Sequence, residues 1–227
     1  MTLLVNSANR QVAGFAVSTI GWILFTTSMG LAEWRLWYMD DPSLFPKGVA
    51  SVGIWRTCVY HHHRDSNQSH GHTKFCHRHT YNDTFLPLSI RISQHLLLAA
   101  NLLGLLGKAF IVLALRNVYM GIVGTNTLFN PFVASGVLYI TASACVLTTA
   151  FWNYYSIVNV QGIAFPSSFH LPFKPDTQEA GSAILVAALS ALLMLLSGLV
   201  FCFYKFPPGQ KYVSRGFRNT DVLETSV

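Results

Sequence analysis

The stretch Gly53-Ile54-Trp55-Arg56-Thr57-Cys58, GIWRTC, lies in a polar loop that also contains Trp34 and Cys76. One long apolar segment precedes this loop and another follows it. A cysteine pair in a loop between membrane spans is typical of a disulfide in an oxidising compartment. A glycine and a large aromatic residue just before the first cysteine indicate a tight backbone and a buried ring beside the crosslink. We therefore expect an ordered domain outside the membrane, carried by a small bundle of membrane-spanning helices.

The overall composition also indicates a membrane protein. Of the 227 residues, 52% are hydrophobic and only 11% are charged, whereas soluble domains carry about 25% charged residues. The formal net charge of +6 is modest, and the basic residues form no stripe that would indicate a nucleic-acid partner. The sequence has no nucleophile elbow, metal-protease helix or phosphate loop. We therefore expect neither an enzyme nor a cofactor-binding protein.

Four apolar segments predict four membrane-spanning helices in a single domain, because each can cross a hydrocarbon core of about 30 Å. The expected spans are 12–32, 92–115, 132–152 and 181–204. The remaining segments are an N-terminus (1–11), a first loop (33–91), a connector (116–131), a second loop (153–180) and a tail (205–227). A cleaved signal peptide is the alternative for the first segment, since Arg10 precedes it and Gly30-Leu31-Ala32 resembles a cleavage site. Lys108 in the second span is expected to extend toward the membrane surface.

Two glycosylation acceptors indicate which side of the membrane the loops face. Asn67-Gln68-Ser69 and Asn82-Asp83-Thr84 both lie in the first loop, as do the two cysteines. Glycan attachment and disulfide formation both require the lumenal or extracellular side. The distribution of Lys and Arg between the loops does not determine the orientation of the chain in the membrane. We therefore expect a multi-pass plasma-membrane protein with both loops outside the cell and both termini in the cytoplasm.

With this topology, the first loop resembles that of the claudin family. Claudins carry Trp, then Gly-Leu-Trp, then two cysteines in the first extracellular loop of a four-span protein. The matching residues here are Trp34, Gly53-Ile54-Trp55, Cys58 and Cys76, with Ile54 in place of leucine. The approach to the second span ends in Arg91, as in the family. After Trp152, the run Ser156-Ile157-Val158 is also similar to the claudin second loop, so the resemblance covers nearly the whole chain.

The resemblance implies a fold and a function. It implies that a Cys58–Cys76 disulfide pins two strands of a small extracellular antiparallel β-sheet, formed by both loops above the four-helix bundle. Closing a loop of about 19 residues in this way contributes about 3 kcal/mol in the chain-entropy model. Trp34 and Trp55 would be structural anchors where the sheet meets the membrane. Claudins polymerise into tight-junction strands and form paracellular barriers or charge-selective pores, so the implied partners are this protein itself and other claudins, in cis and in trans.

The segment between the cysteines departs from the claudin pattern and leaves a second function open. Seventeen residues, Val59 to Phe75, separate the cysteines, whereas claudins have fewer. This insertion contains the Asn67 acceptor, and glycosylation of this loop is common among channel gamma subunits and myelin tetraspan proteins. The alternative function is therefore a glycosylated accessory subunit of a channel or receptor.

Charged and histidine residues of the first loop supply two further hypotheses. His77, Arg78 and His79 follow Cys76, where claudins often place a charge that tunes ion permeation; the alternative is a solvated basic patch. Neutral imidazoles can bind zinc, and the insertion contains five histidines: His61, His62, His63, His70 and His72. Their spacing matches no established zinc motif, and the cysteines are expected to be oxidised. We therefore expect no metal site.

The C-terminal segment carries two candidate sites for cytoplasmic chemistry. Thr225-Ser226-Val227 has the form of a ligand for a PDZ domain, to which a free carboxyl end adds as a strand. Junction scaffold proteins with PDZ domains are therefore expected partners. Cys202, at the end of the fourth span, is a candidate for S-palmitoylation, with a packed or lipid-facing thiol as the alternative. Membrane lipids complete the expected partners.

Overall fold

The computed structural model describes residues 2–39, 48–64, 70–80, 83–120, 130–169 and 171–203. Four α-helices lie in these ranges: α1 at Thr2–Gly30, α2 at Leu88–Tyr119, α3 at Pro131–Val158 and α4 at Ser182–Cys202. Each contains a segment that is long and apolar enough to cross a membrane. The predicted four-helix membrane bundle is therefore confirmed.

The bundle is held together around α4 and α3. Helix α4 packs against both α1 and α3, and α2 packs mainly against α3. The buried side chains include Phe25, Tyr139, Met194 and Phe201. The opposite side of α4 exposes a row of leucines at helical spacing, as a lipid-facing surface requires: Leu185, Leu189, Leu192 and Leu196.

A five-stranded antiparallel sheet lies at one end of the bundle. Its strands are β1 at Arg35–Met39, β2 at Gly48–Val52, β3 at Arg56–Arg64, β4 at His70–Arg78 and β5 at Thr177–Ala180. The strand order is β4-β3-β2-β1-β5, and all neighbours run antiparallel. The first four strands come from the first loop and β5 comes from the second. The predicted small sheet built from both loops is therefore confirmed.

Helix α1 begins at Thr2 rather than Val12, and helices α2 and α3 also extend beyond the spans expected from hydropathy. Helix α2 begins at Leu88 rather than Ile92, directly after Pro87, whose extended conformation stands at the N-cap. Helix α3 continues past Trp152 to Val158, so Ser156-Ile157-Val158 is the last turn of a helix rather than loop. Hydropathy underestimates α2 and α3 because their ends lie against the sheet and carry polar side chains.

Lys108 makes a contact that hydropathy does not indicate. Its Nζ lies 3.8 Å from the ring centroid of Trp22 on α1, in cation–π geometry. The charge thus contacts a neighbouring helix, and its extension toward the membrane surface stays a prediction.

Candidate functional site

The Gly53-Ile54-Trp55 segment forms the turn between β2 and β3. Its first residue is glycine because no side chain fits at that position. The Gly53 N–H donates to the Arg56 carbonyl oxygen at 2.9 Å, which closes the turn. A Cβ at position 53 would lie 2.7 Å from the Cα of Ala32 and 2.9 Å from the Arg56 oxygen. Ile54 is buried in the same core as the helices. The turn is therefore inserted between the sheet and the bundle.

The two tryptophans of the first-loop motif lie where the sheet meets the helices. Trp34 is fully buried, and its Nε1 donates to the Ser28 carbonyl oxygen at 3.1 Å. The same oxygen also accepts from the Leu31 N–H at 3.2 Å, so the indole binds directly at the C-terminus of α1. Trp55 is half-buried and packs against the same core. Both positions are suited to holding the sheet in a fixed orientation on the bundle.

The disulfide joins the two outermost first-loop strands. Cys58 on β3 and Cys76 on β4 lie directly opposite each other and are covalently linked. Directly opposed residues of an antiparallel pair share a face of the sheet. We call the face that carries the sulfurs the disulfide face, and the opposite face the core face. Around the crosslink the disulfide face carries Arg56, Tyr60, Lys74 and Arg78.

The disulfide face is basic at its β3–β4 end. Arg56, Lys74 and Arg78 are all exposed, and Arg56 stands directly opposite Arg78. Like charges in opposed positions destabilise a sheet, so this pair is not explained by strand pairing. Arg56 Nη2 also donates to the Gly30 carbonyl oxygen at 3.3 Å, at the end of α1. On the far edge, Glu179 of β5 shares the same face.

Of the three residues considered for charge selectivity, only Arg78 lies on the disulfide face. His77 projects from the core face, where its ring centroid lies 5.1 Å from that of Phe169. Its Nε2 lies 3.5 Å from Asp83 Oδ2. The Thr80 N–H donates to the same carboxylate at 2.7 Å, and this bond is the main cause that lowers the pKa of Asp83.

His79 is buried and holds the base of the hairpin to the Gly53-Ile54-Trp55 turn. Its Nε2 lies 2.8 Å from Thr57 Oγ1, and its Nδ1 lies 3.1 Å from the Ile54 carbonyl oxygen. Gln94 Nε2 of α2 donates to that same oxygen at 2.9 Å. Burial lowers the pKa of His79, and this effect outweighs the hydrogen bond to Ile54 that raises it. The neutral imidazole therefore belongs to the folded state.

An aromatic cluster, absent from our sequence predictions, fixes the second loop on the core face. Trp37 and Phe165 lie 5.4 Å apart between ring centroids, and Phe165 lies at the same distance from Phe169. Phe85, just before α2, lies 5.7 Å from Phe165. The sequence feature that could have predicted this cluster is the presence of phenylalanines near prolines in an otherwise polar second loop. The cluster joins the sheet, the start of α2 and the second loop.

A buried arginine, also absent from those predictions, joins the sheet to α2 and α3. Arg35 of β1 is 1% exposed. Its Nη2 donates to Asn153 Oδ1 at 2.8 Å and to Ser89 Oγ at 3.4 Å. Asn153 Nδ2 in turn donates to Ser93 Oγ at 3.0 Å. Burial lowers the pKa of Arg35 to about 10, which leaves the guanidinium charged at neutral pH.

Arg91, the final residue of the family motif, lies in the first turn of α2. Its Nη2 donates to the Asp83 carbonyl oxygen at 2.7 Å. The bond ties the short segment before the helix to the helix itself. Arg91 therefore orders the return from the sheet to the membrane.

Cys202, the palmitoylation candidate, packs against α3. A Cβ at Gly136 would lie 2.6 Å from Cys202 Sγ and 2.7 Å from the Gly198 carbonyl oxygen. S-acylation would therefore require the thiol to leave this helix–helix contact.

Several sequence predictions fall on residues outside the described ranges. These are the acceptors Asn67 and Asn82 and the terminal Thr225-Ser226-Val227. The side chains of the histidine-rich segment also lie outside the described part of the structure: His61, His62, His63, His70 and His72. Across the part of the chain that the structure describes, no group of three or more His, Cys, Asp or Glu side chains could hold a metal ion.

Comparison with known proteins assigns the family. The family model described as PMP-22/EMP/MP20/Claudin tight junction matches residues 19–203. The chain is 24% identical to claudin-2 of Mus musculus over 209 residues, covering 90% of this chain and 82% of that protein. It is 27% identical to claudin-19 of Homo sapiens over 199 residues, covering 86% and 81%. It is 24% identical to claudin-4 of Bos taurus over 217 residues, covering 90% of each. The first-loop motif, the crosslinked sheet and the four apolar helices agree with these matches, and the chain belongs to the PMP-22/EMP/MP20/claudin family of tight-junction proteins.

Proposed function

We propose that this protein polymerises in tight-junction strands and limits or selects the paracellular passage of ions. The observation that carries the proposal is the way the crosslinked sheet is fixed on the bundle. The Trp34, Arg35 and His79 side chains each join the sheet to helices or to the turn beside them. A sheet held rigidly above the membrane presents the same disulfide face in every copy of a strand, as a barrier or a pore wall requires.

The disulfide face supports a preference for anions. Its β3–β4 end carries Arg56, Lys74 and Arg78, whereas Glu179 lies at the other edge. In a narrow aqueous path, fixed charges select ions by electrostatics. A pore lined by the β3–β4 end would therefore disfavour cations.

The test is transepithelial resistance with sodium chloride dilution potentials, in a monolayer induced to express the protein. We expect expression to change the resistance or the ion preference. The Cys58→Ser variant should abolish the change, because the hairpin loses its crosslink, whereas Cys145→Ser, which removes a free cysteine of α3, should preserve it. No change with wild-type protein at the cell surface would reject the paracellular function.

One observation favours an accessory subunit instead. Strands β3 and β4 are nine residues long each, against five for β1 and β2, and the Asn67 acceptor lies between them. A long glycosylated hairpin suits a contact with one large partner. Freeze-fracture of non-junctional cells that express the protein separates the two functions, because only the first produces strands.

The sidedness and cytoplasmic partners complete the proposal. Both loops face outward and both termini lie in the cytoplasm, which is supported by the two acceptors and the disulfide in one loop. The Thr225-Ser226-Val227 end binds a PDZ-domain scaffold. Protection of a C-terminal epitope from protease in intact cells, and loss of scaffold binding when Val227 is deleted, would test these two statements.

A further inference from the structure

Among the described residues, five buried polar atoms without a hydrogen-bond partner belong to strands β1 and β5 and to the last turns of α3. They are Arg35 Nη1, Trp37 Nε1, Ser156 Oγ, Gln178 Nε2 and Gln178 Oε1. Buried polar groups in folded proteins almost always find a partner, and exceptions often mark a bound water or ion. This group differs from the other unpartnered atoms because it includes a nitrogen of a buried cation, Arg35.

The four side chains come from one region of the fold. Arg35 and Trp37 project from the same face of β1, and Gln178 of β5 stands directly opposite Trp37. Ser156 follows one turn after Asn153 on α3, and Asn153 accepts the hydrogen bond from Arg35. Helix α3 packs against β5. The unpartnered atoms are therefore contributed by neighbouring elements around the Arg35–Asn153 contact.

The charge of this region favours an anion over water. Within the described ranges, the hydrogen bonds from Arg35 go to neutral oxygens, on Asn153 or Ser89. Two described carboxylates stand near Arg35 in sequence or in strand register, Glu33 just before β1 and Glu179 of β5, and both are directed elsewhere. Glu33 accepts from Ser182 Oγ at 2.8 Å, and Glu179 lies on the disulfide face. A buried cation without a compensating charge is strongly unfavourable, and neutral water does not compensate it.

The chemistry of the unpartnered atoms matches a small anion. A guanidinium, an indole and an amide supply N–H donors, and the serine hydroxyl can donate as well. Only Gln178 Oε1 is solely an acceptor. We propose that Arg35, Trp37, Ser156 and Gln178 bind a chloride ion between the core face of the sheet and the end of α3. The ion would bind the folded protein alone, so chloride would stabilise the junction of the sheet with the bundle.

The first test is thermal unfolding of the purified full-length protein in detergent, at constant ionic strength, with chloride replaced stepwise by gluconate. We expect the unfolding temperature to rise with chloride and to saturate, and bromide to replace chloride. Bromide should also give an anomalous diffraction peak within hydrogen-bonding distance of Arg35. Equal unfolding temperatures in chloride, bromide and gluconate would overturn the proposal and leave buried water as the partner of these atoms.

Variants separate a site from a general salt effect. Ser156→Ala removes one donor and should raise the chloride concentration at half-effect about tenfold, since hydrogen bonds to charged groups are strong. Arg35→Gln should abolish the chloride dependence. Lys174→Gln is the control, because it removes an exposed positive charge of the second loop and should leave the dependence unchanged. If Arg35→Gln does not fold, Ser156→Ala decides: an unchanged half-effect concentration would refute the site.

Discussion

Gly53 occupies a position where the sheet and the end of α1 approach too closely for any side chain. A Cβ there would lie 2.7 Å from the Ala32 Cα, which is backbone and cannot rotate away. Gly53→Ala should therefore destabilise the protein by about 1–3 kcal/mol, the usual cost of overpacking. For a chain of this size the unfolding temperature should fall by about 2–4 °C per kcal/mol. Thermal unfolding of the purified protein measures the effect.

Gly30 offers a control from the same neighbourhood. A Cβ at Gly30 would meet no atom within 4 Å, so Gly30→Ala should leave the unfolding temperature nearly unchanged. Equal losses for Gly30→Ala and Gly53→Ala would show that the close approach is not what makes Gly53 necessary.

His79 should make the stability of the sheet depend on pH. Burial lowers its pKa below the ordinary value of 6.5, so the unfolded chain binds a proton more readily than the folded one. The stability that His79 contributes is therefore present above about pH 6.5 and is lost as the pH falls below that value toward the folded-state pKa. Denaturant unfolding at pH 7.5 and at mildly acidic pH measures the loss.

A substitution assigns this acid sensitivity to His79. His79→Gln keeps a polar side chain but cannot gain the proton, so its stability should change less between the two pH values. His77→Gln, two residues away and half-exposed, should retain the wild-type acid loss. If His79→Gln lost as much stability in acid as the wild type, another group would be responsible.

At the scale of helices, the contact between α3 and α4 depends on glycine. Gly136 and Gly198 bring the two backbones together, and a Cβ at Gly136 would lie 2.7 Å from the Gly198 carbonyl oxygen. Small residues allow such approaches between membrane helices. Gly136→Ala should separate the helices and lower stability by about 1–3 kcal/mol. Unfolding by SDS titration is the measurement, and Val137→Ala on the exposed side of α3 should have a smaller effect.

The helices and the crosslink were predictable from the sequence because their signals are local. Each span is a continuous apolar run, and the two cysteines stand in one polar loop. The helix ends were less predictable. The last turns of α3 contain Asn153, Tyr154 and Tyr155, which resemble loop residues by hydropathy. Asn153 is nonetheless buried, because Arg35 of the sheet binds it.

The junction of sheet and bundle could not be predicted, because its contacts join distant parts of the chain. Arg35 and Asn153 are 118 residues apart. The cluster of Trp37 and Phe165 likewise joins the first loop to the second. From the sequence alone, an arginine at the start of a polar loop is predicted to be exposed to solvent. Only the pairing of β1 with β5 and the packing of α3 reveal that this one is buried.

At the scale of the whole molecule, sheet and bundle form one unit with a charged outer surface. The core face is occupied by the second loop and the helix ends, through Phe165, Ile163 and Ile90. The disulfide face is left with its basic side chains exposed. Any electrostatic effect of the sheet on passing ions should therefore come from this face, and not from His77 or His79.

Arg78 is the residue on which to test that conclusion. Arg56 also caps α1 through Gly30, so its removal would disturb structure as well as charge. Arg78→Gln removes one positive charge and Arg78→Glu removes one and adds a negative charge. A unit charge about 4 Å from an ion in water contributes about 1 kcal/mol, or roughly fivefold in ion ratio. We expect the dilution potentials to show a cation preference that rises from the wild type to Arg78→Gln and then to Arg78→Glu. An unchanged transepithelial resistance would confirm that the variants still assemble.

His77→Gln provides the comparison, because His77 directly precedes Arg78 but projects from the core face. Its dilution potentials should match those of the wild type. A shift with His77→Gln that equals the shift with Arg78→Gln would mean that ions sense the loop as a whole. A shift confined to Arg78 would instead mean that the disulfide face lines their path, since neighbouring residues of a strand point to opposite faces.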